Sequence, residues 1–344
     1  MNALFSPAYS VTIGNQRWTE QALLVEIGLH AAPLVDAAEI VFPAAAPLEA
    51  APGDDVTIHL DSGEIEADVF SGQISSIERS LDRIRVRALD GGGILARLRL
   101  VVTYEKVSAG TAIRNLCSEA GVDVGSVDDG VDLAFYAVDD QRSALVHIAR
   151  LAGFSGALAS ITADGALQAP VVDPTQAERA LRFGREILGI SQRRRAAPVT
   201  DFVVAGEAGA GSSSAPEALR PTSDFFAGNK PAEASATARW RWEPALRTVQ
   251  GAERAGAAWK RRYAARAAAG EIEAYLQPDL RPGSVIEVQD LPAGLEKGPL
   301  LVEHVRHRLS ARGAVTTLGI CIAGADQDPA GLLGSLAGAA GGLL

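Results

Sequence analysis

The chain has 344 residues and a formal net charge of −10, which argues against a surface built to neutralise phosphates, because nucleic-acid binding relies on clustered Lys and Arg to release counterions. An apolar fraction of 47% with 22% charged residues is that of a folded globular protein, and the length exceeds that at which one core usually stops growing, so about two or three compact units are implied. Aromatic residues are only 5%, which leaves burial to many small contacts.

The N-terminal stretch MNALFSPAYSVTIG has no basic residue ahead of an apolar run, so no secretory signal is read there. No apolar stretch reaches the roughly 18 to 20 residues that cross a bilayer. The expectation is cytoplasmic folding without membrane insertion, with exit from the cell inside an assembly or by lysis. From Val11 to about Leu100 short strands and turns alternate: 11–13, 23–29, 39–42, 55–60, 65–70, 74–78 and 84–89. Val56-Thr57-Ile58-His59-Leu60 and Ile84-Arg85-Val86-Arg87 each give one dry and one wet face. Pro52-Gly53-Asp54 and Asp61-Ser62-Gly63 supply turns.

Near Thr103 the period changes from two to 3.6. Ile113, Leu116, Cys117 and Ala120 form one helical stripe ending at Gly121, and Leu145, Ile148, Ala149 and Ala152 form another ending at Gly153. Ala163-Asp164-Gly165 predicts a hairpin turn between strands at 158–161 and 167–172. Strands return at 179–183, 187–192 and 200–205, and the Ala-, Gly-, Ser- and Pro-rich stretch 207–238 reads as a mobile loop. Arg239-Trp240-Arg241-Trp242 alternates like a strand. Val249, Ala252, Gly256, Trp259 and Tyr263 trace a helix stopped by Gly270, and strands close the chain at 271–276, 285–288, 300–309 and 315–322. The tail from Gly324 to Leu344 is too Gly-rich for a helix.

A weak duplication links the two ends. Ala51-Pro52-Gly53-Asp54-Asp55-Val56 and Arg281-Pro282-Gly283-Ser284-Val285-Ile286 each open a strand, and each is followed by a long strand, a polar turn and a returning strand. The predicted fold is therefore mainly β with an α+β insert: two related antiparallel β-barrels bracketing a small α+β domain. The boundaries are 1–102 for the first barrel, 103–179 for the middle domain, 180–323 for the second barrel with its mobile loop (207–238) and helix (247–270), and 324–344 for a flexible tail.

The residues resemble the late control D family of phage tail hubs, which is similar to the N-terminal part of VgrG spike proteins. The resemblance rests on Ala109-Gly110-Thr111-Ala112-Ile113-Arg114-Asn115-Leu116, Asp140-Gln141-Arg142-Ser143-Ala144-Leu145, Ile148-Ala149-Arg150-Leu151-Ala152-Gly153-Phe154, and Leu280-Arg281-Pro282-Gly283-Ser284-Val285 ahead of Leu301-Val302-Glu303-His304-Val305-Arg306-His307. It implies a structural baseplate hub, a homotrimer that adapts a six-fold tail tube to a three-fold spike in a phage tail or contractile injection system. The implied partners are the tail tube, other baseplate components and a spike supplied as a separate protein. The alternative from another class is a barrel-based carbohydrate- or cell-wall-acting enzyme.

No catalytic, cofactor-binding or metal-ligating residue is assigned. His304 and His307 have metal-site spacing only on a helix; on a strand they point to opposite faces. His30, His59 and His147 stand singly. Gly91-Gly92-Gly93 lacks the residues of a phosphate loop and reads as a flexible turn. Asp123, Asp128, Asp129 and Asp132 lack calcium-loop spacing and read as a solvated loop. Cys117 and Cys321 read as small buried thiols. Arg254, Lys260, Arg261, Arg262 and Arg266 form a basic helix face, read as solvated, with an acidic neighbour or DNA as the sharper alternative.

Overall fold

The computed structural model describes residues 6–173, 175–195, 201–206, 238–295 and 297–322. The first block is built from β1 (Ala8–Ile13), β2 (Gln16–Trp18), β3 (Leu24–His30), β4 (Ala37–Pro43), β5 (Asp55–Asp61), β6 (Glu66–Arg79) and β7 (Arg83–Leu89). Alternation works as read: Val56, Ile58 and Leu60 of β5 and Ile84, Val86 and Ala88 of β7 are buried while their neighbours face outward. The strands expected at 65–70 and 74–78 are one continuous β6, with a bulge at Ser75 that shifts its register on β7 between Ile74 and Ser76. β2 has no counterpart in the sequence reading.

Gly91-Gly92-Gly93 is not a turn but opens α1 (Gly91–Arg97), with Asp90 at its N-cap. A Cβ at Gly91 would stand 3.0 Å from the Gly165 carbonyl oxygen and one at Gly93 2.9 Å from the Leu89 side chain, so the glycines let the helix start hard against its neighbours.

The middle unit contains β8 (Val102–Ser108), α2 (Ala109–Ala120), β9 (Val124–Val127), β10 (Asp132–Val138), α3 (Ala144–Gly153), β11 (Ser160–Ile161) and β12 (Leu167–Ala169). The helical stripes lie where the spacing predicts. The Ser108 side chain accepts from the Thr111 amide at the start of α2, and Gly121 closes it in the left-handed conformation (φ 67°). β8, β9 and β10 were not expected. Among the described residues β8 pairs with β10 alone, and it keeps no fully buried residue, so it lacks the dry face that betrays a strand.

The second block holds β13 (Arg179–Arg182), β14 (Ile187–Arg194), β15 (Asp201–Ala205), β16 (Ala238–Trp242), α4 (Val249–Ala265), β17 (Ala268–Tyr275), β18 (Val285–Gln289), β19 (Leu300–Ser310) and β20 (Gly313–Ile322). Gly270 does not stop the helix, which ends at Ala265. It lies inside β17, where a Cβ would meet the Ser191 carbonyl oxygen of β14 at 2.2 Å, so its absence of side chain serves a close strand approach. The loop expected at 207–238, save its last residue, and the tail from 324 lie outside the described residues.

One main sheet runs β14-β17-β20-β19-β3-β4-β7-β6-β5-β1-β2, with β18 on β19 and β13 on β18. Among the described residues, strand pairing carries on from one block to the other through β3 and β19 rather than closing either block on itself. The two halves repeat one order. In the first it is β3-β4-β7-β6-β5-β1, and in the second β14-β17-β20-β19-β18-β13, with one change of sense: β1 is antiparallel to β5, whereas β13 is parallel to β18. A single apolar cluster runs through both blocks. A second cluster holds the middle unit together with Leu95 of α1 and Ala252, Ala255 and Trp259 of α4.

Candidate functional site

The Pro-Gly corners are the same device built twice. Gly53 (φ 97°) donates its N–H to the Ile74 carbonyl and Ile74 donates back to Asp54; Gly283 (φ 101°) donates to Val302 and Val302 donates back to Ser284, all four bonds at 2.9 Å. In both long strands the next residue, Ser75 or Glu303, is bulged out of the ladder. Positive φ favours glycine, which is why the corner is legible in sequence.

Around the second corner three regions meet. The Arg281 guanidinium donates to the Val69 carbonyl of β6 at 3.1 Å and to the Ile161 carbonyl of β11 at 3.1 Å. One side chain thus ties the second block to the first block and to the middle unit. Its charge is balanced at a distance by Asp36 and Asp90, buried at 3% and 4% exposure. Burial and the neighbouring Asp90 carboxylate hold Asp36 well above the ordinary carboxylate range, and burial pushes Asp90 up to about 7. The Gly93 amide donates to the Asp90 backbone carbonyl at 2.9 Å, while the Asp90 carboxyl oxygens face the Gly92 and Gly93 amides without a well-aligned hydrogen bond. Asp36 also accepts from the His30 amide at 2.6 Å, anchoring the turn that follows β3.

The seam between the blocks is the β3–β19 ladder, with His30 opposite His304 and Leu24 opposite Ser310. On its open face lies a groove of about 760 Å³, with Gly28, Ala37, Ser75 and Ser76 among its lining and Glu26, Glu39, Arg87, Glu271 and Arg306 carrying its charge. His30 and His304 stack there with ring centroids 6.2 Å apart. Burial, then the proximity of His304, lowers the pKa of His30. Arg308 and Glu26 pair across the seam at 3.6 Å.

His304 and His307 do point to opposite faces. His307 is wholly buried, and its Nδ1 shares a hydrogen bond with the Thr316 hydroxyl at 2.9 Å, a hydroxyl that also accepts from the Gln277 amide. Burial lowers its pKa to about 3. His147 is equally enclosed, with Nδ1 accepting from Tyr136 at 2.9 Å. These two hydroxyl–imidazole pairs have the geometry of a base and its nucleophile, but neither is open to a substrate. His59 sits on the surface beside Asp68. Among the described residues no group of three His, Cys, Asp or Glu could hold a metal ion, and no helix is long and apolar enough to cross a membrane.

Cys117 and Cys321 are buried, with thiols pushed up to about 12. Asp128 and Asp129 are exposed yet structured: Asp128 accepts from the Val171 amide at 2.6 Å, and Asp129 pairs with Arg114 at 2.9 Å. On the basic helix, Arg254 donates to the Gly130 carbonyl and Arg266 to Glu303, so part of that face is used within the chain. Sequence reasoning missed Arg281, Asp36 and Asp90 as a set; only the place of Arg281 in the Pro-Gly corner hinted at it.

No family model matches the sequence, and no curated protein matches it. Solved structures do. A 43 kDa tail protein of the MuSo2 prophage from Shewanella oneidensis is 14% identical with a TM-score of 0.68, covering 92% of this chain and 99% of its own. A tail protein from Neisseria meningitidis is also 14% identical, with a TM-score of 0.67 over 92% of this chain and 97% of its own. An Escherichia coli component of the type VI secretion system, described as structurally similar to bacteriophage T4 tail proteins, is 15% identical with a TM-score of 0.61, covering 92% and 77%. The chain therefore has the fold of phage tail proteins and of their secretion-system counterparts.

Proposed function

We propose that this chain is a structural hub subunit of a phage tail or phage-tail-like injection machine, not a catalyst. The observation that carries this reading is the repetition of one six-strand order within a single chain, on a fold shared with tail proteins. Two similar blocks per chain let three chains present six similar faces, which matches a six-fold tube on one side and a three-fold spike on the other. The partners proposed are two further copies, a spike protein, the tail tube and neighbouring baseplate components, within a particle assembled in the cytoplasm. No cofactor or metal is assigned. The organisation into a first barrel (1–102), a middle domain (103–179) and a second barrel (180–323) belongs to the same proposal.

Sedimentation of the purified chain tests it. A species near three times 35.8 kDa is expected. A monomer at every concentration that hydrolyses cell-wall polysaccharide would overturn it in favour of the enzyme alternative.

A further inference from the structure

We infer that the β14 edge of one copy pairs with the Ser76–Arg79 edge of β6 in the next, repeating between copies the β3–β19 seam that joins the two blocks within each copy. This deepens the hub reading and rests on it.

The argument starts from β19. One of its edges has three occupants in succession: β18 on Leu300 and Leu301, the Pro-Gly corner on Val302, and β3 from His304 to Ser310. The matching edge of β6 has β5 from Glu66 to Gln73 and the Pro-Gly corner on Ile74. Beyond the bulge, where β3 would follow, no strand pairs Ser76–Arg79 among the described residues. Ser75, Ser76, Glu78 and Arg79 are exposed there. An open edge of this kind is a template for another strand.

The strand that fits it is the counterpart of β3. Taking Ile74–Ala88 and Val302–Ile320 as equivalent pairs, the ladders align Glu39-Ile40 of β4 with Glu271-Ile272 of β17. Both glutamates face the seam groove, and both isoleucines are wholly buried. The same alignment sets Gly28 of β3 against Arg193 of β14. Carrying the seam register across turns His304–His30 into Ser76–Arg195, and Arg306–Gly28 into Glu78–Arg193. That second pair unites opposite charges directly across the strands, as Arg308 and Glu26 are united in the internal seam. Each contact uses a β3-type edge on one side and a β6-type edge on the other, so it is head-to-tail throughout and propagates into a ring when the rotation closes.

The test is a Glu78→Cys, Arg193→Cys double variant of the full chain. Directly opposite residues have Cβ atoms about 5 Å apart, close to disulfide reach, and Cys117 and Cys321 are buried away from exchange. Oxidation is expected to give covalent multimers on non-reducing gels. A multimer by sedimentation that yields no cross-link would overturn this edge and leave the hub reading standing; a monomer at every concentration would overturn both. Charge exchange supplies the second readout. Glu78→Arg or Arg193→Glu alone is expected to weaken association about ten-fold or more, and the double exchange to restore it. Loss without restoration would refute the pairing.

Discussion

Ala51 and Arg281 occupy the same position in the two Pro-Gly corners, yet one is an exposed residue at a wet turn and the other reaches a carbonyl in each of two other regions. The contrast continues along the strands. Where the first block has Arg79 opposite Ile84, the second has the enclosed His307–Thr316 pair. The ladder, its bulge and its corner are common to both blocks; what differs is what lies against them. A fold repeated twice has one copy free to be a surface, while the other is buried by the middle unit and carries polar groups that must be satisfied inside.

That contrast is open to direct attack. The largest effect is expected from Arg281→Ala, which removes two hydrogen bonds and leaves Asp36 and Asp90 without their cation: about 4 kcal/mol lost in chemical denaturation, as for a broken buried charge network. Ala51→Gly, at the matching exposed corner, should stay within about 0.5 kcal/mol. Equal losses at the two corners would show that the junction adds nothing.

Next come two opposed pH dependences, both rooted in the second corner. Asp90 is raised to about 7 in the fold, so the stability it contributes is fully present below its ordinary value near 4 and is lost as pH rises through about 7. His307 is lowered to about 3, so its contribution is present above its ordinary value near 6.5 and is lost as pH falls towards 3. Each limb is on the order of 4 kcal/mol. Thermal melts across pH should show Asp90→Asn flattening the alkaline side and His307→Gln the acid side. A wild-type profile unchanged by either would break the assignment.

The smallest effect compares the corner glycines. Gly53→Ala and Gly283→Ala both force a side chain into a positive-φ conformation at about 1 to 2 kcal/mol. Gly283→Ala should cost somewhat more, since its Cβ would meet Leu158 at 3.3 Å whereas nothing lies within 4 Å at Gly53. Identical losses would mean that the crowding relaxes freely.

How much of this was legible follows the same division. The strands of the two blocks could be read because one face of each is dry, and the corners because Pro-Gly chemistry is local. β8 could not, because a strand that keeps no fully buried residue leaves no alternation of apolar residues to find. Gly270 was misread for a related cause: a glycine that ends a helix and one that admits a neighbouring backbone look alike until the neighbour is known. The sequence shows Arg281 only as part of a Pro-Gly corner, since burial of a cation is decided by elements more than a hundred residues away in sequence.

By itself, then, the sequence determined the local ladder: which residues alternate, where the chain turns sharply, and that one pattern occurs twice. The meeting of β3 with β19, the burial of Asp36, Asp90 and Arg281 beside it, and the open edge left on β6 were decided only by the tertiary structure. The physical reason lies in the backbone. Every strand edge offers the same N–H and C=O groups whatever its side chains, so the choice of partner is made by the packing of whole faces and leaves no signature within any one segment.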